Sequence, residues 1–83
     1  MNLCIRVGDS DDYHNLDDLS DLADHLKESN VRTPLVRHSK YAVTTDGFER
    51  NNHISLFWGD DEAQPIRELT PAELDEINRR LAE

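Results

Sequence analysis

The stretch NHISLFW, residues 52–58, decides the fold because its apolar residues alternate with a period of two. Alternation of this kind is typical of a β-strand whose two faces meet different surroundings. Ile54, Leu56 and Trp58 share one face, which we expect to face the core. The residues of the opposite face are His53, Ser55 and Phe57.

Two more strands are predicted before this stretch, over residues 35–37 and 41–45. Pro34 marks an edge or the start of a strand, because proline cannot donate a ladder hydrogen bond. Asp46-Gly47 is a turn signal between the strand at residues 41–45 and the one at residues 52–58, which indicates an antiparallel meander. In the strand at residues 41–45 we expect Tyr41 and Val43 to face the core, opposite Ala42 and Thr44.

The N-terminal part predicts a strand followed by an acidic helix. Leu3, Ile5 and Val7 alternate within residues 2–7, and residues 8–12 then form a polar turn. We predict a helix over residues 15–29 with Asn15 as its N-cap, because apolar residues recur at steps of three and four. These apolar residues are Leu16, Leu19, Leu22, Ala23 and Leu26.

A second helix begins after Thr70. Thr70 at the N-cap, Pro71 at the first helical position and Glu73 three residues after the cap make a capping box. Leu69 and Leu74 flank the cap in the positions of a hydrophobic staple. Residues 59–69 are predicted as a polar loop.

The predicted order is β-α-β-β-β-α in one domain, residues 1–83. The economical arrangement is an α+β two-layer sandwich, with a mainly antiparallel sheet and two helices on one of its faces. A chain of 83 residues can fold alone, although its stability is marginal and an oligomer would help.

Charge divides the chain into three parts. Residues 8–30 carry eight carboxylates and one lysine, and residues 59–83 carry eight carboxylates and three arginines. Residues 31–58 hold four cations against two carboxylates. The net charge of −9 favours cationic partners and repels nucleic acid and anionic membranes.

The sequence predicts neither a metal site nor a cofactor. Counted from Asp9, the sixth and twelfth positions are His14 and Ser20, which excludes the EF-hand calcium loop. Zinc normally takes four ligands, often several cysteines, and Cys4 is the single cysteine of the chain. We expect surface histidines paired with nearby aspartates, His14 with Asp18 and His25 with Asp21.

Enzymatic activity is not predicted. The chain has no nucleophile elbow and no phosphate-binding glycine loop. If a catalytic base existed, His53 beside Phe57 would be the first candidate. The single Cys4 and the lack of a signal-like or membrane-spanning apolar stretch lead us to expect a cytoplasmic protein that does not associate with membranes.

The leading hypothesis is a non-catalytic inhibitor or regulator. Its acidic helix would dock on the basic, nucleic-acid-binding surface of a partner protein, with carboxylates in place of phosphates. Phages and mobile elements often encode small acidic proteins of this kind, which is an analogy only. The competing interpretation is an acidic face that only maintains solubility. The proposed partner-binding residues are Asp17, Asp18, Asp21, Asp24 and Glu28.

Two other functions stay open. An oligomerising accessory domain, such as a homodimer, would use the sheet face opposite the helices, with Phe57 as an exposed anchor and Arg6 and Ser55 beside it. A weak nucleic-acid platform on the basic middle sheet is a third choice, because the acidic flanks oppose it. The face opposite the helices would hold Cys4, Arg6, Ala42, Thr44, Ser55 and Phe57.

Overall fold

The computed structural model describes residues 1–7, 13–31, 34–45 and 54–83. These residues form six strands and two helices, an α+β fold as the sequence predicts. The predicted turn at Asp46-Gly47, the acidic cluster at residues 9–12 and the candidate base His53 lie outside the described residues. The elements are β1 (Asn2–Val7), β2 (His14–Leu16), α1 (Leu19–Glu28), β3 (Val36–Ser39), β4 (Ala42–Thr44), β5 (Ile54–Gly59), β6 (Pro65–Arg67) and α2 (Pro71–Leu81).

All strand pairs of the sheet are antiparallel, and β5 lies at its centre. β1 pairs along the whole of β5, from Asn2 opposite Gly59 to Val7 opposite Ile54. β4 pairs with the first half of the other edge of β5, and β6 pairs with the second half. In the described part of the chain, β2 lies outside β1, β3 lies outside β4 and β6 lies outside the second half of β5, so these three short strands are edge strands.

The pairing register assigns the side chains to two faces of the sheet. The core face is the one that the helices cover, and the open face is the one opposite to it. Leu3 lies opposite both Trp58 and Leu16, and Ile5 lies opposite Leu56, which places these side chains on the face that the helices cover. Leu22, Leu26 and Ile77 from the helices complete a buried apolar cluster with them. The core residues of the central strand are those that the alternation of residues 52–58 predicts.

The carboxylate of Glu73 holds α2 on the sheet. Trp58 Nε1 donates to Glu73 Oε2 over 2.9 Å, and Arg67 Nη1 donates to Glu73 Oε1 over 2.9 Å. The backbone N–H of Thr70 donates to the same Oε1 at 2.8 Å, which completes the predicted capping box. The hydrogen bonds from Arg67, from the Thr70 N–H and from Trp58 lower the pKa of Glu73 to about 2.

The side-chain amide of Asn78, on α2, binds the backbone of the residue that precedes β3. Asn78 Oδ1 accepts from the backbone N–H of Leu35 at 2.7 Å, and Asn78 Nδ2 donates to the Leu35 carbonyl at 3.0 Å. Leu35 is buried, with 2% of its surface exposed, so its backbone N–H and carbonyl need hydrogen-bond partners. The Asn78 amide provides both, as a neighbouring strand would. Within β3, Arg37 Nη2 donates to the carbonyl of Leu69, the residue before the cap of α2.

Helix α1 begins later than predicted, because the chain first forms β2. Asn15, the expected N-cap, lies opposite Cys4 in β2 and accepts a hydrogen bond from its Sγ. The N-cap is Asp18, whose carboxylate accepts from the N–H of Asp21 at 2.9 Å. Asn and Asp are equally good N-caps, so local preference could not choose between them, whereas pairing with β1 does.

Two further details differ from the sequence prediction. Tyr41 belongs to the turn before β4 and contacts Phe57 on the open face, so it does not join Val43 in the core. The expected loop at residues 59–69 contains strand β6, which pairs with β5 around the tight turn at Asp60. The part of the chain that the structure describes contains no helix long and apolar enough to cross a membrane.

Replacing Glu73 by glutamine is expected to destabilise the fold by about 1.5–3 kcal/mol at neutral pH, because hydrogen bonds to a charged group are lost. Since the pKa of Glu73 is about 2 in the folded chain and 4.5 ordinarily, its stabilisation is fully present above about pH 4.5. That stabilisation is lost as the pH falls from 4.5 towards 2. Urea unfolding of wild type and Glu73→Gln across this range measures both effects.

The matched control is Glu68→Gln. The Glu68 side chain is 50% exposed and lies 3.7 Å from Arg37, so its loss should change the free energy of unfolding by less than about 0.5 kcal/mol. Equal acid sensitivity of wild type and Glu73→Gln would show that Glu73 is not the carboxylate that links α2 to the sheet.

Candidate functional site: the acidic surface of helix α1

Helix α1 carries acidic side chains on the side opposite its buried face. Leu22, Ala23 and Leu26 are the buried residues of the helix. Asp21, Asp24 and Glu28 follow a spacing of three and four residues, which places them on one face, and all three are exposed. With a rise of 1.5 Å per residue they span about 10 Å along the helix axis.

Both ends of α1 are defined by specific caps. The N-terminal end begins at Asp18, and Asp17 lies exposed just before it. At the C-terminal end, Asn30 has a φ of 59°, and the N–H of Val31 donates to the Leu26 carbonyl at 3.0 Å. This is a Schellman motif, which stops the helix directly after Glu28. The structure thus places Asp21, Asp24 and Glu28 on one exposed face of the helix, with Asp17 and Asp18 exposed directly before its first turn.

The charges of this surface have no cationic partner among the described residues. None of its five carboxylates forms an ion pair with another described side chain. On α2, in contrast, Glu73 binds Arg67, and Glu76 binds both Arg79 and Arg80. The arginines of residues 59–83 therefore pair with carboxylates of α2, and within the described residues none of them forms an ion pair with a carboxylate of α1. We name the surface formed by Asp17, Asp18, Asp21, Asp24 and Glu28 the acidic surface.

The arrangement of the acidic surface does not favour the stability of α1. Asp21 with Asp24 and Asp24 with Glu28 are like-charge neighbours, each of which destabilises a helix by about 0.2–0.5 kcal/mol. Glu28 also lies in the last turn, where the helix dipole disfavours a negative charge. Asp18, at the N-cap, and Asp21, in the first turn where the helix dipole favours a negative charge, are the two that favour the helix. The remaining carboxylates are available for solubility or for binding.

A pair of histidines borders the acidic surface, and the sequence did not predict it. The ring centroids of His14 on β2 and His25 on α1 lie 4.7 Å apart. The expected pairs, His14 with Asp18 and His25 with Asp21, do not form ion pairs in the described part of the chain. Burial lowers the pKa of His25, the charge of His14 lowers it further, and Glu28 opposes this shift. A sequence signal for the pair would have required recognising β2.

The open face of the sheet is covered by the chain's own aromatic residues. The side chain of Phe57 is 2% exposed, so the expectation of an exposed anchor is wrong. Its ring lies 5.6 Å from the ring of Tyr13 and 5.6 Å from that of Tyr41. Arg6 lies opposite Ser55 in the register and stacks over Tyr13 at 5.3 Å. The three predicted interface residues therefore share one face, but Phe57 is not accessible there.

Cys4 is also buried on this face, next to Gly59. Burial raises the pKa of the Cys4 thiol, which keeps it protonated and unreactive. A Cβ atom at Gly59 would lie 2.9 Å from Cys4 Sγ and 2.9 Å from the carbonyl of Gln64. The close approach of β1, β5 and the following turn therefore requires a glycine at this position.

An open groove of about 150 Å³ runs between α1 and the end of α2. Its volume is below the range of about 300–1,000 Å³ that is usual for small-molecule sites. Arg80 Nη1 closes one part of it by donating to Ser20 Oγ at 2.7 Å. Its lining is Ser20, Ala23, Asp24, Lys27, Arg80 and Glu83. No group of three or more metal-ligating side chains is found in residues 1–7, 13–31, 34–45 and 54–83.

Comparisons of the chain with protein-family models, with curated proteins and with solved structures gave no match. The acidic surface is therefore the candidate site on the strength of its own geometry: exposed, unpaired carboxylates on the outer side of a capped helix.

The N-cap role of Asp18 can be separated from its charge. Asp18→Ala removes the acceptor for the Asp21 N–H and should destabilise the protein by about 0.5–2 kcal/mol. Asp18→Asn keeps an equally good cap and removes only the charge, so it should stay within about 0.5 kcal/mol of wild type. Thermal and urea unfolding of the two variants tests this. Equal loss in both variants would mean that charge, and not capping, gives Asp18 its structural effect.

Proposed function

We propose that this protein is a non-catalytic binding protein that docks its acidic surface on a basic, nucleic-acid-binding surface of a partner protein. It would act as an inhibitor or regulator by occupying the site that the nucleic acid uses. The observation that carries the proposal is the set of exposed carboxylates at Asp21, Asp24 and Glu28, which lack an ion-pair partner in the described part of the chain.

The physical basis is the charge pattern that such a partner binds. Lysine and arginine side chains that contact phosphates release counterions, and fixed carboxylates can take the place of those phosphates. Asp21, Asp24 and Glu28 provide about one negative charge per 5 Å of helix axis, against one per 3.4 Å along a DNA strand. Asp17 and Asp18 extend the row beyond the helix. The binding should therefore be sensitive to salt, with a smaller slope than that of nucleic acid.

The rigidity of α1 supports this proposal. The helix is capped at both ends, and Leu22 and Leu26 attach it to the core. The carboxylates are thus presented on a fixed element, so that less conformational entropy is lost on binding than with a disordered acidic tail.

The alternative of an oligomerising sheet face has less support, because Phe57 is already buried by Tyr13 and Tyr41. We also include a cytoplasmic location in the proposal, since the single Cys4 is a free thiol.

The experiment uses two triple variants with the same change in charge. Asp21→Lys, Asp24→Lys and Glu28→Lys reverse the acidic surface without touching the Asp18 cap. Glu62→Lys, Glu68→Lys and Asp75→Lys form the matched control, because these residues are also exposed and lie outside the acidic surface. Each variant has a net charge of −3, since three reversals of two units each are added to −9.

The partner is captured from a cell lysate at low salt, identified by mass spectrometry and purified. Displacement of a labelled DNA duplex from that partner is then measured by fluorescence anisotropy. Wild type and the control variant should displace the duplex, and the acidic-surface variant should be weaker by more than about a hundredfold, because like charges then oppose each other. Equal displacement by the two variants would reject docking through the acidic surface and leave its carboxylates with a solubilising role.

A further inference from the structure

The histidine pair lies where it can change the charge of the acidic surface. His25 is four residues after Asp21 and three before Glu28, so on α1 it neighbours both carboxylates. Its ring also contacts that of His14, at 4.7 Å between centroids and with the planes tilted by 45°. His25 is half-buried and His14 is exposed, so protons can reach the pair from the solvent.

The contact joins two separate elements of the fold. β2 is an edge strand that pairs only with β1 in the described part of the chain, and its His14 lies opposite Ile5, on the side of the helices. The stacked rings therefore link the edge of the sheet to α1. Two positive charges at this distance repel each other, which both weakens the contact and opposes the uptake of a second proton.

We propose that the His14–His25 pair makes docking of the acidic surface dependent on pH, with weaker docking once the pair takes up a proton. This inference rests on the function proposed above and describes the regulation of the same site. Histidine is suited to the role because it is the side chain that ordinarily changes its charge between pH 5 and 8.

The charged groups around the pair determine the size of the effect. Glu28 acts on His25 from its own helix, Asp21 lies four residues before it, and His14 faces it from β2. β1, which packs against both elements, contributes apolar Leu3 and Ile5 on that side. α2 lies against α1 through Arg80 and Ser20. Uptake of one proton by the pair reduces the five negative charges of the acidic surface to a net of four.

Binding and protonation oppose each other by linkage. A cationic surface that docks on α1 must disfavour protonation of the adjacent imidazoles, and protonation must weaken docking by the same factor. The pKa of His25 is also lowered from 6.5 by burial and by His14, so the unfolded chain binds more protons than the folded chain. The folded state should therefore lose stability as the pH falls below about 6.5.

The test uses an octa-arginine peptide as a probe of the acidic surface, with calorimetry at pH 7.5 and at pH 5.5. The dissociation constant of wild type should be about fivefold higher at the lower pH, as expected for one added charge about 4 Å from the ligand in water. The variant with His14→Gln and His25→Gln should change by less than about twofold. His38→Gln, on β3 at the opposite edge of the sheet, is the control and should behave as wild type.

A second readout does not depend on the peptide. NMR titration of the imidazole carbons follows the protonation of His25 directly, and octa-arginine should move that titration to lower pH. In the single variant His25→Gln, which keeps His14, the free energy of unfolding should change much less between pH 7.5 and 5.5 than in wild type. This variant replaces the double variant if the latter folds poorly.

The outcomes separate this inference from the proposed function. Equal pH dependence of binding in wild type and in the histidine variants overturns the inference and leaves the acidic surface as the docking site. Octa-arginine that binds the Asp21, Asp24 and Glu28 reversal variant as tightly as the matched control overturns the docking site, and the inference with it.

Discussion

The pairing of β1 with β5 is the constraint on which the rest of the structure depends. It joins residues about fifty positions apart and runs in register from Asn2 opposite Gly59 to Val7 opposite Ile54. β2 then has a strand to pair with on the outside of β1, and β4 and β6 share the free edge of β5. The same register decides which side chains the helices cover. Gly59 is the residue that permits the close approach, because a side chain there would meet Cys4.

The carboxylates of the two helices have different roles in the structure. On α2, Glu73 binds Trp58, Arg67 and the N-terminus of its own helix, so a charged group stabilises the packing of helix on sheet. On α1 the carboxylates at Asp21, Asp24 and Glu28 take no part in the packing of the helix, and only Asp21, in the first turn, interacts favourably with the helix dipole. Both helices pack on the core through buried apolar residues, but in the described part of the chain a charged group takes part in that packing only on α2, while α1 presents a negative surface bordered by His14 and His25.

The candidate site was only partly predictable from the sequence. The exposure of Asp21, Asp24 and Glu28 follows directly from the helical spacing of the leucines that lie opposite to them. The burial of Phe57 could not be predicted, because it depends on Tyr13 and Tyr41, which reach it from other elements. The contact of His14 with His25 depends in the same way on an edge strand of three residues, which is too short to show a periodic pattern.

The sequence by itself determined the elements with strong local signals: β1 from its alternation, the central strand from residues 54–58, and the start of α2 from Thr70, Pro71 and Glu73. Each of these signals rests on interactions within a few residues, so a single chain segment contains all of it. Only the tertiary structure decided that Asn15 joins a strand and Asp18 caps the helix, that residues 65–67 return to β5, and that the open face is closed by tyrosines. In these cases several local conformations have similar free energies, and hydrogen bonds or ring contacts with distant segments select one of them.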